Sequence, residues 1–467
     1  MPDLLFALVW CTVALAAPVP DTAAPEPPDS HVTAHVSPTA PSLASSRTSQ
    51  HEFTLPNGVH VTLTPFETDN RATLRLVFGF GTADETRAEA GLTRVLAEWI
   101  TQGDTAPGAV TVSSEVTADA LILDVEVAPS AVPDAITALH KRIGDVTFLT
   151  RDEAIQPGST SHARFDASRT AAAHSRTNLA GHADARQALR SVLFQEVTYG
   201  RPEATDEQIR AYTPVDLQSF VQRHLTPKQT SLYVVGSFRR SETEVAATKH
   251  LGSWTTTSAA PPRQVTPVSE ASLRIFGRPT SVEATLAIGT PVPGPGHQDA
   301  AALEVATLLV GGGHASRLAQ AESVPYASSP YSLVAPHRDA SYWVAVASSR
   351  ATHAQPVLQT MRRILSDLRD SPPDCAEVQH AQTVLIDRFL LQSSTRDGLA
   401  DQLMFLDRHG LTTDYFMTYQ ERVRSVTPSD VQRVVETYLT PDRLTIVATG
   451  PKRLLQPQLA PVRERIP

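Results

Sequence analysis

Cysteine is nearly absent from this chain: Cys11 and Cys375 are its two examples in 467 residues. If a leader carrying Cys11 is removed, a single thiol remains, which excludes an internal disulfide in the mature fold. Runs of basic residues are missing too. With a net charge of −9 and a pI near 6, that excludes a surface built for nucleic acid or anionic lipid. The apolar stretch Leu4 to Ala17 is too short to span a bilayer, so no transmembrane span is expected in the mature chain. Signatures of other chemistries are also lacking. There is no Gly-x-Ser-x-Gly and no Ser-x-x-Lys, and Gly311-Gly312-Gly313 is not followed by the Lys-Ser/Thr of a phosphate loop. Cys375 follows Pro372-Pro373-Asp374, a turn-like setting.

What the chain does contain is a repeat. Thr213-Pro214-Val215-Asp216-Leu217-Gln218 leads through Leu225-Thr226-Pro227 to an apolar run ending at Gly236. The same wording returns 214 positions later, from Thr427-Pro428-Ser429-Asp430-Val431-Gln432 through Leu439-Thr440-Pro441 to Gly450. So long a period signals a duplicated module with its own core, because solenoid repeats are far shorter. Each unit reads as a helix capped by Thr with Pro in its first turn, where the missing N–H costs nothing. Asp216 and Asp430 fall near the positive end of the helix dipole. Thr-Pro then stops the helix, and a strand follows.

The rest of the chain fits around this duplication. Residues 1–16 read as a signal peptide, with Ala14-Leu15-Ala16 offering a cleavage site before Ala17, although Asp3 replaces the usual basic start. Export to the periplasm or cell envelope is the expectation. Residues 17–49 are rich in Pro, Ala, Ser and Thr and predict a disordered tether. His31 and His35 have helical ligand spacing but sit in this tether, so they read as solvated. The first module spans 50–257, a linker 258–268, the second module 269–455, and a tail 456–467. Asn57-Gly58 between alternating apolar residues predicts a hairpin. Strands are expected over 73–80, 109–127, 281–288 and 342–348. Helices are expected over 91–101, 131–146, 299–310 and 357–370, with a long Ala-rich stretch over 166–194. That order predicts an α+β fold of two homologous modules, each an antiparallel sheet covered by helices on one side. His174 and His182 fall on the Ala-rich stretch and read as surface or satisfied histidines.

Several stretches, in this order, resemble the insulinase/pitrilysin zinc peptidases, and in particular the two-module subunits of mitochondrial processing peptidase type. They are Leu55-Pro56-Asn57-Gly58, Gly81-Thr82-Ala83-Asp84-Glu85 with Gly91-Leu92, and Tyr199-Gly200-Arg201-Pro202. Leu303-Glu304-Val305-Ala306, Gly311-Gly312-Gly313 with Ser316-Arg317-Leu318, and both repeat units complete the set. The resemblance covers roughly residues 50 to 453. It implies a His-x-x-Glu-His motif in the helix beginning at Gly91, two histidines binding zinc and the Glu activating water. Here those positions read Arg94-Val95-Leu96-Ala97-Glu98. Both histidines are replaced, by Arg94 and Glu98, and Ala97 stands at the base position. The third ligand is implied near 171 to 175, and no carboxylate occurs between Asp166 and Asp184. Arg cannot lose its proton to become a ligand. No metal and no cofactor are therefore expected. Arg94 and Glu98, four apart, either pair on one helix face in place of the ion or are ordinary exposed helix charges.

The resemblance also implies a glycine-rich loop, Gly311 to Gly313, facing the cleft between modules. It further implies a substrate-gripping Arg and Tyr just beyond Ser316-Arg317-Leu318. Tyr326 matches the second, but the segment Gln320 to Tyr326 is shorter and lacks the basic residue. The expected function is a catalytically inactive subunit that pairs with an active, zinc-bearing homologue to form a peptide-processing chamber for unfolded peptides. The alternative is a free-standing cell-envelope scaffold or peptide-binding protein derived from a metallopeptidase.

Overall fold

The computed structural model describes residues 50–66, 70–102, 110–147, 159–174, 181–195, 197–254, 263, 265–321 and 327–463. Residues 1–49, where a leader and a tether are expected, and Tyr326 lie outside them. Among the described residues the strands make two sheets. The first contains β1 (His51–Thr54), β2 (His60–Pro65), β3 (Ala72–Phe78), β4 (Ser113–Val116), β5 (Leu121–Val127) and β6 (Thr230–Gly236), in the spatial order β1-β2-β6-β3-β5-β4. The second contains β7 (Ser272–Gly277), β8 (Glu283–Val292), β9 (Ala327–Pro336), β10 (Ser341–Arg350) and β11 (Thr445–Gly450), ordered β7-β11-β8-β10-β9. Apart from β1, the two orders superpose strand for strand, so the duplication read in the repeat extends to the whole sheet. Each sheet has one parallel pair, β2 with β6 and β7 with β11, among antiparallel neighbours.

The repeat unit closes each module in the same way. Thr213 and Thr427 cap the helices Pro214–His224 and Pro428–Tyr438. The Asp of each repeat closes a reciprocal box: the Thr213 N–H donates to Asp216 Oδ2 at 2.8 Å, and the Thr427 N–H to Asp430 Oδ2 at 3.0 Å. The strands that follow, β6 and β11, lie inside their sheets with almost every residue buried. Burial on both faces is why they read as unbroken apolar runs instead of alternating ones.

One face of each sheet carries the module's own helices. Leu63, Leu74, Leu123 and Val234 of the first sheet join Val95, Leu96 and Trp99 of the Leu92–Thr101 helix in one core. Ile288, Ala345 and Ile446 join Leu303 and Ala306 of the Ala300–Gly311 helix in the other. The opposite faces are covered by exchange. Ala185, Leu189 and Leu193 of the His182–Leu193 helix pack on Ala287, Val344, Val346 and Val447 of the second sheet. Leu399, Ala400, Leu403 and Met404 of the Arg396–His409 helix pack on Ile122, Tyr233 and Val235 of the first. The sheets are thus helix-covered on both faces, the second cover coming from the other module. Within the stretch expected to be one long helix, two are described, Thr160–His174 and His182–Leu193, and they serve different sheets. Residues 452–463 also form a helix, burying Leu455, Leu459 and Val462. No described helix is long and apolar enough to cross a membrane.

Candidate functional site

The Leu92–Thr101 helix is present where the motif reading requires it, and its start is built with care. Gly91 holds φ 92°, and a Cβ there would lie 3.0 Å from the Ala204 Cβ and 3.1 Å from Ile209 Cγ1. Glycine is therefore required both for its left-handed backbone and for the close approach. No side chain at position 91 can cap the helix, and Glu85 does so instead. Its carboxyl accepts the Gly91 and Thr93 N–H groups, each at 2.8 Å. Glu85 is 3% exposed, and burial pushes its pKa up to about 7 against the pull of those two donors.

Val95, Leu96, Trp99 and Ile100 face the core, and Ala97 joins them. Arg94 and Glu98 stand half-buried one turn apart. Burial raises the Glu98 pKa and the charge of Arg94 opposes that rise, so the two side chains interact across the turn. The Thr160–His174 helix lies alongside, where the third ligand would be sought. Its buried residues are Phe165, Ser168, Ala172 and Ala173. Ser168 Oγ donates to Gln102 Oε1 at 3.2 Å, and Arg164 lies over the Trp99 ring at 4.7 Å while donating to the Trp99 carbonyl at 2.7 Å. A guanidinium, a methyl group and a carboxylate facing alanines do not make a zinc site, whose three protein ligands come from imidazole, thiolate or carboxylate. Among the described residues no three His, Cys, Asp or Glu side chains gather closely enough to hold a metal ion.

In front of this helix lies a cavity of about 80 Å³, bounded by Arg94, Arg190, Arg201, Glu85, Thr198 and Tyr199 among others. Arg190 carries no local sequence signal, and Glu85 and Arg201 stand out only as parts of longer stretches. Their convergence depends on segments about a hundred residues apart.

In the glycine loop Gly311 is closely packed. A Cβ on Gly311 would lie 2.4 Å from the Ser332 backbone nitrogen, so the helix end presses directly on β9. The Gly312 carbonyl accepts from Arg388 Nη2 at 2.9 Å. Gly313, at φ 144°, has open space where a Cβ would point. Nearby, Glu304 accepts the Tyr419 hydroxyl at 2.7 Å and carries a pKa raised by burial to about 7. His174 is exposed and bonds the Thr170 carbonyl at 2.7 Å. His182 meets the Tyr331 ring edge-on at 5.3 Å between centroids. Cys375 is exposed, and the expected turn is in fact a helix start: Asp374 caps Cys375–Ser393 and Glu377 closes the box.

Comparison with known proteins bears on the fold. The family model described as the peptidase M16 inactive domain matches residues 211–385. A curated relative, an uncharacterised zinc protease of Mycobacterium leprae, is 26% identical over 226 residues, or 47% of this chain. The match spans about half (49%) of that relative's length. Among solved structures, a protease from Helicobacter pylori superposes with a TM-score of 0.75 at 16% identity, covering 86% of this chain and 99% of that one. A peptidase M16 inactive domain from Pseudomonas fluorescens gives 0.72 at 17% identity over 86% and 98%. A chain of complex III2 from Candida albicans gives 0.74 at 14% identity over 89% and 99%. At these identities the structural likeness establishes the fold.

Proposed function

We propose that this chain, a homologue of the insulinase/pitrilysin (M16) peptidases, is a non-catalytic subunit that pairs with an active, zinc-bearing homologue in the cell envelope. One observation carries the reading. The two-module fold, the Gly91 start and the Leu92–Thr101 helix are intact, while Arg94, Ala97, Glu98 and the neighbouring Ala172 and Ala173 supply no ligand set. Loss of chemistry with retention of architecture supports a part kept for its shape. Two such chains bring four modules together, enough to enclose an unfolded peptide. The second reading, a free-standing envelope scaffold or peptide-binding protein, is favoured by the segment before Tyr326, which lacks the basic residue of the substrate-gripping pair.

Affinity purification of the full chain from its native host, with mass spectrometry of what co-elutes, separates the two. A stoichiometric homologue with an intact His-x-x-Glu-His motif supports the subunit reading. Recovery of this chain alone moves the assignment to the scaffold. Peptide hydrolysis by the pure chain, abolished by a chelator, would overturn both.

A further inference from the structure

Where the Arg396–His409 helix seats on the first sheet, carboxyl groups from both modules gather about one guanidinium. Arg75 of β3, its side chain 11% exposed, bonds Asp124 of β5 at 2.6 Å and Asp401 of the helix, with Asp397 at 4.0 Å. Glu115 of β4 stands on the same face, because it pairs across the sheet with Ile122, which packs beneath that helix. The Glu115 Oε1 is shielded from solvent and has no hydrogen-bond partner among the described residues. An unpaired carboxyl at a helix seat that already holds three others calls for an explanation.

Arg75 carries one positive charge and already holds two carboxylates, so ionised Glu115 adds negative charge to a seat that is negative before it. Burial first, then the charges of Asp401 and Asp124, push the Glu115 pKa up to about 7, against the pull of Arg75 and Arg408. The remaining charged groups of the seat have partners of their own. Arg396 and Arg71 both pair with Glu126 at 2.7 Å. Asp407 accepts the Tyr233 hydroxyl and feels the charges of His60 and Glu52. Burial holds the His409 pKa down to about 4, so that ring is neutral near pH 7. The Leu92–Thr101 helix, with Arg94 and Glu98, packs on the opposite face of the sheet through Val116, Leu121 and Leu123.

We propose that this seat is a pH-sensitive latch between the modules: neutral Glu115 lets the Arg396–His409 helix close on the first sheet, and its ionisation releases the helix. A carboxyl whose folded pKa is raised contributes stability that is complete below its unfolded value of 4.5 and is lost as pH rises through about 7. The latch therefore holds in acid and loosens above neutrality. The helix has 14 residues, a length that is marginal in water once its packing is gone, so release opens its backbone hydrogen bonds. Because this helix is the second module's cover for the first sheet, the latch sets how firmly the two modules hold one another. It goes beyond the subunit reading and does not depend on a partner.

The test is hydrogen exchange of the purified full chain, read by mass spectrometry over a pH series and divided by the intrinsic exchange rate at each pH. Protection in peptides covering 396–409 is expected to fall about tenfold between pH 6 and pH 8. Glu115→Gln, which is neutral at every pH, should match wild type at pH 6 and keep about tenfold more protection than wild type at pH 8. That gain should be confined to 396–409 and absent from peptides covering 182–193, the reciprocal cover on the second sheet. No fall in wild type, or no gain in the variant, would overturn the latch. An equal gain in 182–193 would overturn it too, by making Glu115 a determinant of global stability only. If Glu115→Gln does not fold, Asp401→Asn decides. It removes the neighbouring charge that acts most strongly on Glu115, so the fall should move to lower pH, and an unmoved midpoint refutes the proposal.

Discussion

At the scale of single residues, the start of the Leu92–Thr101 helix is held by a carboxyl group that titrates near neutrality. Glu85 caps this helix through two backbone N–H groups while burial raises its pKa from the ordinary carboxyl value of 4.5 to about 7. A carboxyl whose folded pKa is raised contributes stability that is fully present below the unfolded value. That contribution is lost as pH rises from about 4.5 through 7. Glu85→Gln removes this titration but leaves one N–H short of an acceptor, a fixed cost of about 1–3 kcal/mol. Urea unfolding should therefore show the variant weaker than wild type at pH 5, with the deficit shrinking or reversing at pH 8. The shift is on the order of 3 kcal/mol. A deficit that stays constant across that range would contradict the raised pKa. Repair of the motif tests the neighbouring positions. Arg94→His, Ala97→Glu and Glu98→His together should yield no chelator-sensitive hydrolysis, because Ala172 and Ala173 still offer no third ligand. Such hydrolysis appearing in the triple variant would refute the ligand placement. Arg94, Ala97 and Glu98 were legible in the sequence because their spacing from Gly91 is fixed by one helix. Arg190 and Thr198 were not, since a local pattern does not record which distant segment arrives opposite.

At the scale of elements, the same limit recurs with a physical cause. The capped helices at Thr213 and Thr427 and the strands after them could be read directly, because caps, proline and apolar runs act within a few residues. The destination of the His182–Leu193 helix could not. Its apolar stripe announces that it will be buried, but not that it will cover the second module's sheet. What admits it there is Gly289 in the middle of β8. A Cβ at 289 would lie 2.6 Å from Leu189 Cδ2 and 2.6 Å from the Trp343 carbonyl oxygen. One of these neighbours is backbone and cannot swing aside. Gly289→Ala should therefore destabilise the chain by about 1–3 kcal/mol, the range for overpacking a filled core. The midpoint of urea unfolding measures it. A variant as stable as wild type would mean that the exchanged helix is not seated on β8.

At the scale of the whole molecule, the two modules and the segment between them meet at one buried carboxylate. Asp119, 3% exposed, follows β4 in the first module. It accepts the Tyr199 hydroxyl at 2.7 Å, Arg263 Nη1 at 3.0 Å and the Arg338 N–H at 3.1 Å, with His337 Nδ1 at 3.4 Å. Arg263 sits in the stretch read as a linker, yet its side chain is 5% exposed and also pairs with Asp84 at 3.1 Å and Asp339 at 3.2 Å. Composition marks such a stretch as unfolded because it weighs proline and alanine, and it cannot weigh one arginine that finds three carboxylates. Burial alone would raise the Asp119 pKa, but His337 and Arg263 hold it well below the usual carboxylate range. A carboxylate depressed in this way contributes stability above its unfolded value of 3.8 and loses it as pH falls below that. Asp119→Ala removes the hub and leaves Arg263 with one fewer buried counter-charge, a loss of about 3–5 kcal/mol for a broken buried pair. The loss should concentrate at the junction. Urea unfolding of the variant at neutral pH should split into two transitions, and protease cleavage should appear near Arg263 before either module is digested. Each module keeps its own large core, so both fragments should persist. A single cooperative transition with an unchanged midpoint would show that the exchanged helices alone hold the modules together. In that case Asp119 would be a bystander to a junction made by apolar packing.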